Sequence, residues 1–368
     1  MTSRSPFALR IVLALALISF SAFAQAQTPD VKPPIRGLIS MGAYKFVGIG
    51  GQPINTLAAV RAKSGIFSGI VLVPSWQQLQ PVANGPLQTE VIDNFLSEVR
   101  LYNANHANPL AVKLRVWGGF VAPMWAKSIG GPPIRVVQNQ GQSNEQNRTL
   151  GRFWSPQYRQ AWANLQTLLA EKYDSEPLIH EVSITSCMSL TAEPFVVNTQ
   201  PAVLGRLRHA GFTDTAFKDC LQGALADYAS WQQSRLVLSV NPLHLVHVPG
   251  PGNPEFTKKI MLACHVSLGE RCVFDNHDLN TPLANPLVPL YAYMKELGAQ
   301  IEFQTANVTP ANFPGTIMFG VQSGASAIEL YQDFPTGGFP PVANATLRQW
   351  SRWLINNNAA KAGPGRSG

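Results

Sequence analysis

Eight short runs of apolar and β-branched residues recur along the chain. They fall at residues 35–40, 69–73, 111–117 and 179–185, and again at 235–240, 271–275, 299–305 and 324–331. Runs this short and rich in apolar and β-branched residues read as strand candidates. Between them the spacing changes to a helical one: Ile92, Phe95, Leu96 and Val99 fall at i, i+3, i+4 and i+7, and Trp162, Leu165, Leu168 and Leu169 repeat the stripe. Further helices are expected near 54–63, 214–233, 254–265, 285–297 and 344–356, with start signals such as Ser155-Pro156 and Asn253-Pro254. Strand, helix, strand, repeated eight times, predicts an α/β fold, a single-domain (β/α)8 TIM barrel.

All strands of such a barrel deliver their C-terminal ends to one face, where active sites sit. The stretches expected there are "PSW" (74–76), "RVWGGFVAPMW" (115–125), "TAEPF" (191–195), "NPLH" (241–244), "DNHD" (275–278), "EFQT" (302–305) and "ELYQD" (329–333). Tryptophans beside carboxylates, amides and a histidine suit a carbohydrate, because rings stack on sugar C–H faces while polar groups pair with hydroxyls.

Composition places this barrel outside the cytoplasm. Arg4 and Arg10 precede an uncharged apolar run that ends in small residues at Ala22, Ala24 and Ala26, the pattern of a secretory signal peptide over 1–26. The barrel is then expected over 27–358 with a flexible tail over 359–368, and the mature protein is expected to be secreted or periplasmic. No later segment reaches the ~18 apolar residues of a membrane helix. The formal charge of +7 is scattered rather than blocked, which argues against a nucleic-acid partner.

Four cysteines in an exported chain favour disulfides, with three pairings open to the sequence. The short segment around Gly269 favours Cys264–Cys272, leaving Cys187–Cys220. Zinc would want CxxC spacing, and the His244/His247 pair lies between prolines, so no metal is expected. Asn147, Asn307 and Asn344 head Asn-x-Thr sequons. There is no Gly-x-Ser-x-Gly elbow and no phosphate-binding glycine loop, which weakens esterase, nucleotidase and dehydrogenase readings.

The fourth strand leads to Glu193-Pro194 and the seventh carries Glu302 in "QIEFQT". This resembles the clan of retaining glycoside hydrolases on (β/α)8 barrels. The segments "GIVLVPSWQQLQP" and "VKLRVWGGFVAPMW" are most nearly similar to the β-galactosidase-like family 42. The resemblance implies an acid/base glutamate after strand four, here Glu193, and a nucleophile at the end of strand seven, here Glu302. Retention needs the two carboxyls about 5–5.5 Å apart, with Glu193 protonated at the start of the cycle. Glu329, ending strand eight, is the rival nucleophile or a substrate-binding carboxylate.

Arg115 is expected beneath Glu302, keeping it ionised. His277, next to Asp278, is expected to orient the nucleophile or the sugar. Trp76, Trp117, Trp125 and Trp154 are candidate sugar platforms, and Asn241 a candidate hydroxyl partner. No cofactor is expected, and the expected partner is an oligosaccharide or polysaccharide. One departure stands out: many clan members carry Asn before the acid/base, where this chain has Ala192. The alternative reading is therefore a carbohydrate-binding barrel without turnover.

Overall fold

The computed structural model describes residues 30–41, 45–47, 52–138, 146–197, 200–245, 252–306, 309, 311–331 and 342–357. The expected signal peptide, the tail, Asn307, His247 and Asp333 lie outside them, as does the Asn147 side chain. Eight parallel strands close into a barrel: β1 (Gly37–Ser40), β2 (Phe67–Leu72), β3 (Ala111–Leu114), β4 (Ile179–Ser183), β5 (Arg235–Ser239), β6 (Cys272–Asp275), β7 (Gln300–Gln304) and β8 (Ala327–Leu330). Each pairs with its neighbours in sequence order, and β8 pairs back onto β1 through Gly37–Ser40 and Ala327–Leu330.

A helix follows every strand: α1 (Ala58–Ala62), α2 (Glu90–Ala104), α3 (Pro156–Tyr173), α4 (Asp214–Gly223), α5 (Pro254–Leu268), α6 (Val288–Leu297), α7 (Phe313–Gln322) and α8 (Asn344–Asn356). The start signals act as the sequence suggests. Ser155 Oγ accepts from the Tyr158 amide and Asn253 Oδ1 from the Glu255 amide, each with Pro at the first helical position. Helix α7 and a helix over Pro201–His209 have no counterpart among the expected elements. The polar stretch after β3 contains an antiparallel hairpin, Ile134–Gln138 with Gln146–Leu150.

The alternation within each strand decides what the barrel contains. Outward residues such as Val112, Leu114, Val182, Leu236, Leu238, Phe274, Ile301, Phe303 and Ile328 are buried under the helices and form the apolar core. The inward positions carry Lys113, Arg115, Glu181, Ser183, Asp275, Glu302, Gln304 and Glu329, all buried. Barrels of this kind usually fill their interiors with branched apolar side chains; this one is filled with charge.

The N-terminal segment closes the floor. Lys32 Nζ donates to the carbonyls of Glu176 (2.8 Å) and Ile179 (2.7 Å), and the Ile35 amide donates to Glu181 Oε1 (2.9 Å). Both expected disulfides are formed, Cys187–Cys220 and Cys264–Cys272. The first ties the loop after β4 to α4, and the second joins α5 to the start of β6.

Candidate active site

The loop after β4 delivers Glu193 to the barrel mouth, and its path is fixed residue by residue. Thr185 Oγ1 donates to the Val116 carbonyl (2.7 Å), Ser186 Oγ to Asp227 Oδ2 (2.7 Å), and Ser189 Oγ to the Val196 carbonyl (2.8 Å). Cys187, in the left-handed region at φ 64°, is held by its disulfide. Gly119, at φ 53°, lets the loop after β3 pass close by, since a Cβ there would stand 2.0 Å from the Ser189 carbonyl oxygen.

Glu193 ends beside residues from β5 and β6. Its Oε1 lies 3.3 Å from Asn241 Nδ2 and 3.3 Å from His277 Nδ1, and His277 Nε2 lies 2.8 Å from Asp275 Oδ2. Asn241 is set by Asn276, whose Nδ2 donates to the Val240 carbonyl (2.8 Å) and to Asn241 Oδ1 (3.3 Å), while the Tyr291 hydroxyl donates to Asn276 Oδ1 (2.9 Å). The imidazole is thus held between two carboxylates.

That chain sets the protonation. Burial pushes the His277 pKa down, but Asp275 and then Glu193 raise it to about 9, against the opposing charge of Arg115. Burial would raise Glu193, yet the charge and hydrogen bond of His277 outweigh it and hold the carboxyl below its usual range. Burial likewise opposes ionisation of Asp275 and is outweighed by His277, Lys113 and Arg115. At neutral pH the proton therefore sits on His277. The expected resting proton on Glu193 is disfavoured, because the charge and hydrogen bond of His277 outweigh both burial and the charge of Asp275.

Glu302 lies deeper than the sequence pattern implies. Its carboxyl pairs with Lys113 Nζ and accepts from Gln300 Nε2 (2.7 Å), and its side chain has 0% exposure. Burial and the charge of Glu181 raise its pKa well above the usual carboxylate range despite Lys113. With no exposure and with its carboxyl paired to Lys113, Glu302 is out of a sugar's reach where it stands. The mouth end of β7 is Gln304 instead, one inward position further along, and its Oε1 accepts from Arg115 Nη1 (3.3 Å).

Arg115 does not lie beneath Glu302 as expected. Its Nη2 grips both oxygens of Glu329 (2.7 and 2.9 Å) and lies 3.7 Å from Asp275 Oδ2, while Lys113 takes Glu302 and also reaches Glu329 Oε1 (2.7 Å). Glu329 is fully buried; Arg115 and Lys113 hold it ionised against the cost of burial, and it faces no solvent that a sugar could enter.

The tryptophans are corrected in the same direction. Trp76 has no exposure and packs edge-on against Trp125, Tyr158 and Trp162, with Nε1 donating to Gln80 Oε1 (3.2 Å). Trp154 is buried against Phe153 and Phe212, and Trp117 is buried with its edge to Phe120. Trp125 is half-buried, its Nε1 donating to the Gln80 carbonyl (3.1 Å). It is the one candidate platform of the four with appreciable surface. Glu193, Asn241 and His277 are brought together as expected. Lys113, Asp275 and Gln304 complete the interior without having been singled out, although Lys113 alternates with Arg115 on one strand face, a signal open to the sequence.

Among the described residues no group of three or more His, Cys, Asp or Glu side chains is arranged to hold a metal ion.

The fold places the chain among (β/α)8 barrels whose solved members include retaining glycoside hydrolases. The barrel of endo-glycoceramidase II from Rhodococcus sp. is similar at a TM-score of 0.52 and 13% identity, over 87% of this chain and 80% of that one. An endo-β-1,4-glucanase from Xanthomonas axonopodis pv. citri is similar at a TM-score of 0.52 and 14% identity, over 86% of this chain and 99% of that one. The glycoceramidase has also been captured as a lactosyl-enzyme intermediate, similar to this chain at a TM-score of 0.50 and 12% identity, over 88% of this chain and 80% of that one. These likenesses support the fold; the nearer resemblance to family 42 receives no support from them. No protein-family model and no curated protein sequence matches the chain.

Proposed function

We propose that the protein is a glycoside hydrolase in which Glu193 is the acid/base, supplied with its proton by His277. The observation that carries this reading is the Glu193–His277–Asp275 chain, anchored by Asn241, at the mouth of a barrel shared with endo-glycosidases. Transfer of the His277 Nδ1 proton makes Glu193 a carboxylic acid and leaves a neutral imidazole whose Nε2–H still donates to Asp275. Glu193 then protonates the leaving oxygen of the glycosidic bond. On hydrolysis it takes a proton from water and returns it to His277. With a side-chain exposure of 14%, Glu193 is reachable, whereas Glu302 and Glu329 have none.

Ganglioside GM3, a glycolipid found with a similar structure, and β-1,4-glucan oligomers, the class named by the similar endo-β-1,4-glucanase, are the first substrates to test. Product release seen by mass spectrometry, lost by about 10²–10⁴-fold in Glu193→Gln, supports the assignment. Undiminished turnover in that variant rejects it. Retention through Glu302, the course the sequence resemblance implies, requires the carboxylate to leave Lys113 and pass Gln304. Trapping with a 2-deoxy-2-fluoro glycoside distinguishes the routes: a labelled peptide containing Glu302 supports that course, and a label elsewhere or none rejects it.

A second reading, a carbohydrate-binding barrel without turnover, is favoured by Gln304, because an amide ends the strand where the clan carries its nucleophile. Sugar binding without any product is its signature.

A further inference from the structure

Asn276 follows the last residue of β6, is fully buried, and has every hydrogen-bonding position of its amide filled. Oδ1 accepts from the Asp278 amide (3.1 Å) and the Tyr291 hydroxyl (2.9 Å), and Nδ2 donates to the Val240 carbonyl (2.8 Å) and to Asn241 Oδ1 (3.3 Å). Two of these partners are backbone groups whose sense is fixed, since an N–H donates and a C=O accepts. Turning the amide over would set Nδ2 against the Asp278 N–H and Oδ1 against the Val240 carbonyl. Asn276 therefore has one orientation, and its second N–H needs an acceptor, which Asn241 supplies as Oδ1. Asn241 is fixed in turn, with Nδ2 as the end that meets Glu193 Oε1 (3.3 Å). Both ends of this relay are held by the outer helices. Thr257 Oγ1 of α5 donates to the Asn241 main-chain carbonyl (2.7 Å), and the Tyr291 ring of α6 stacks on Phe303 with centroids 4.4 Å apart.

We propose that Asn276 is a positioning residue for the acid/base: it locks the polarity of Asn241, so that a donor faces Glu193 whether or not that carboxyl carries a proton. The inference rests on the acid/base reading above and adds a residue that acts through another. An unlocked Asn241 follows the proton. It offers Nδ2 to the carboxylate and Oδ1 to the carboxylic acid, stabilising whichever form is present. The locked amide stabilises the carboxylate alone. Once Glu193 has taken the His277 proton it finds no acceptor in Asn241, and passing that proton to the leaving oxygen restores the favoured carboxylate. Asn276 itself is sealed from substrate and has no hydrogen-bonding position left for Glu193, so its influence passes through Asn241.

The test follows the Glu193 carboxyl by carbon-13 NMR of the full chain labelled in glutamate, assigned with Glu193→Gln. Wild type, Asn241→Ala, Asn276→Ala and the double variant are compared. The relay predicts that Glu193 titrates roughly half to one pH unit higher in each single variant, because one loses the donor and the other frees it to turn. In the double variant, loss of Asn276 should add nothing to loss of Asn241. Wild-type titration in Asn276→Ala with the far-ultraviolet circular dichroism retained, or shifts that add in the double variant, overturn the relay. Asn241 is only half-buried, so Asn241→Ala serves should Asn276→Ala fail to fold, and an unshifted Glu193 there overturns the relay as well. Turnover of a β-1,4-glucan oligomer separates the relay from the reading beneath it. Loss of turnover in Glu193→Gln with no titration shift overturns the relay alone. Undiminished turnover in Glu193→Gln overturns the acid/base reading and the relay's role with it, whatever the titrations show.

Discussion

The two nitrogens of His277 face two carboxylates, and a single imidazole so placed is charged through most of the physiological pH range. Its pKa is raised to about 9, so histidine-selective NMR should show His277 titrating near there, well above an ordinary histidine. The consequence for stability follows from the sign of the shift. A group whose folded-state pKa is raised stabilises fully below its unfolded value, near 6.5, and that contribution is lost as pH rises towards 9. Lys32 and Lys127, lowered to about 8 chiefly by burial, act oppositely above pH 8. The readout is therefore the difference in urea stability between wild type and His277→Gln, which should shrink between pH 6.5 and 9. A pH-independent difference would contradict the charged imidazole. Lys113 makes a harsher case: its ammonium meets Glu302, Glu329 and Glu181 together. Lys113→Met leaves Glu302 and Glu181 without that buried partner and should cost about 3–5 kcal/mol in denaturant unfolding.

Residue identity at the site was legible where chain direction alone decided it. Glu193, Asn241 and His277 each follow a recognisable strand and must reach the mouth. Depth was not legible. Glu302 and Gln304 share the inward face of β7 one layer apart, and the pattern "QIEFQT" does not say which ends the strand. Burial of Trp76 was equally hidden, because a tryptophan beside a strand end serves as core or as platform with the same local sequence.

At the scale of elements, the loop over 184–197 carries the argument. Ile184, Met188, Leu190, Phe195 and Val197 bury it in the core, and Cys187–Cys220, which spans a sequence separation of 33, ties it to α4. Replacing both cysteines by serine should lower stability by about 3–4 kcal/mol on the chain-entropy estimate, read from urea unfolding. Gly119→Ala should push the loop off its course, because the added methyl collides with the Ser189 carbonyl. Loss of sugar binding with the far-ultraviolet circular dichroism retained is the expected result. All eight strands and most helices were legible from periodicity. Helix α7 was not, since Phe313-Pro314 opens a short apolar segment with glycines at 315 and 320 that reads as loop. The hairpin after β3 was masked by its polar, glycine-rich composition.

At the scale of the whole molecule, the apolar core lies between barrel and helices while the barrel interior is a network of charges closed below by Lys32 and the Ile35 amide. Such a network contributes less to stability than an apolar filling does, and it imposes electrostatic constraints on the groups above it. Lys113 and Arg115 occupy Glu302 and Glu329, whereas Glu193, with a side-chain exposure of 14%, is in reach of solvent. The account stands on that carboxylate acting as acid/base. Its most direct test is turnover of two aryl glycosides, one with a good and one with a poor leaving group, by wild type and Glu193→Ala. Loss of protonation by Glu193 predicts a fall of about 10²–10⁴-fold for the poor leaving group and a much smaller fall for the good one. A variant as active as wild type on the poor leaving group, or one equally impaired on both, would contradict the acid/base role.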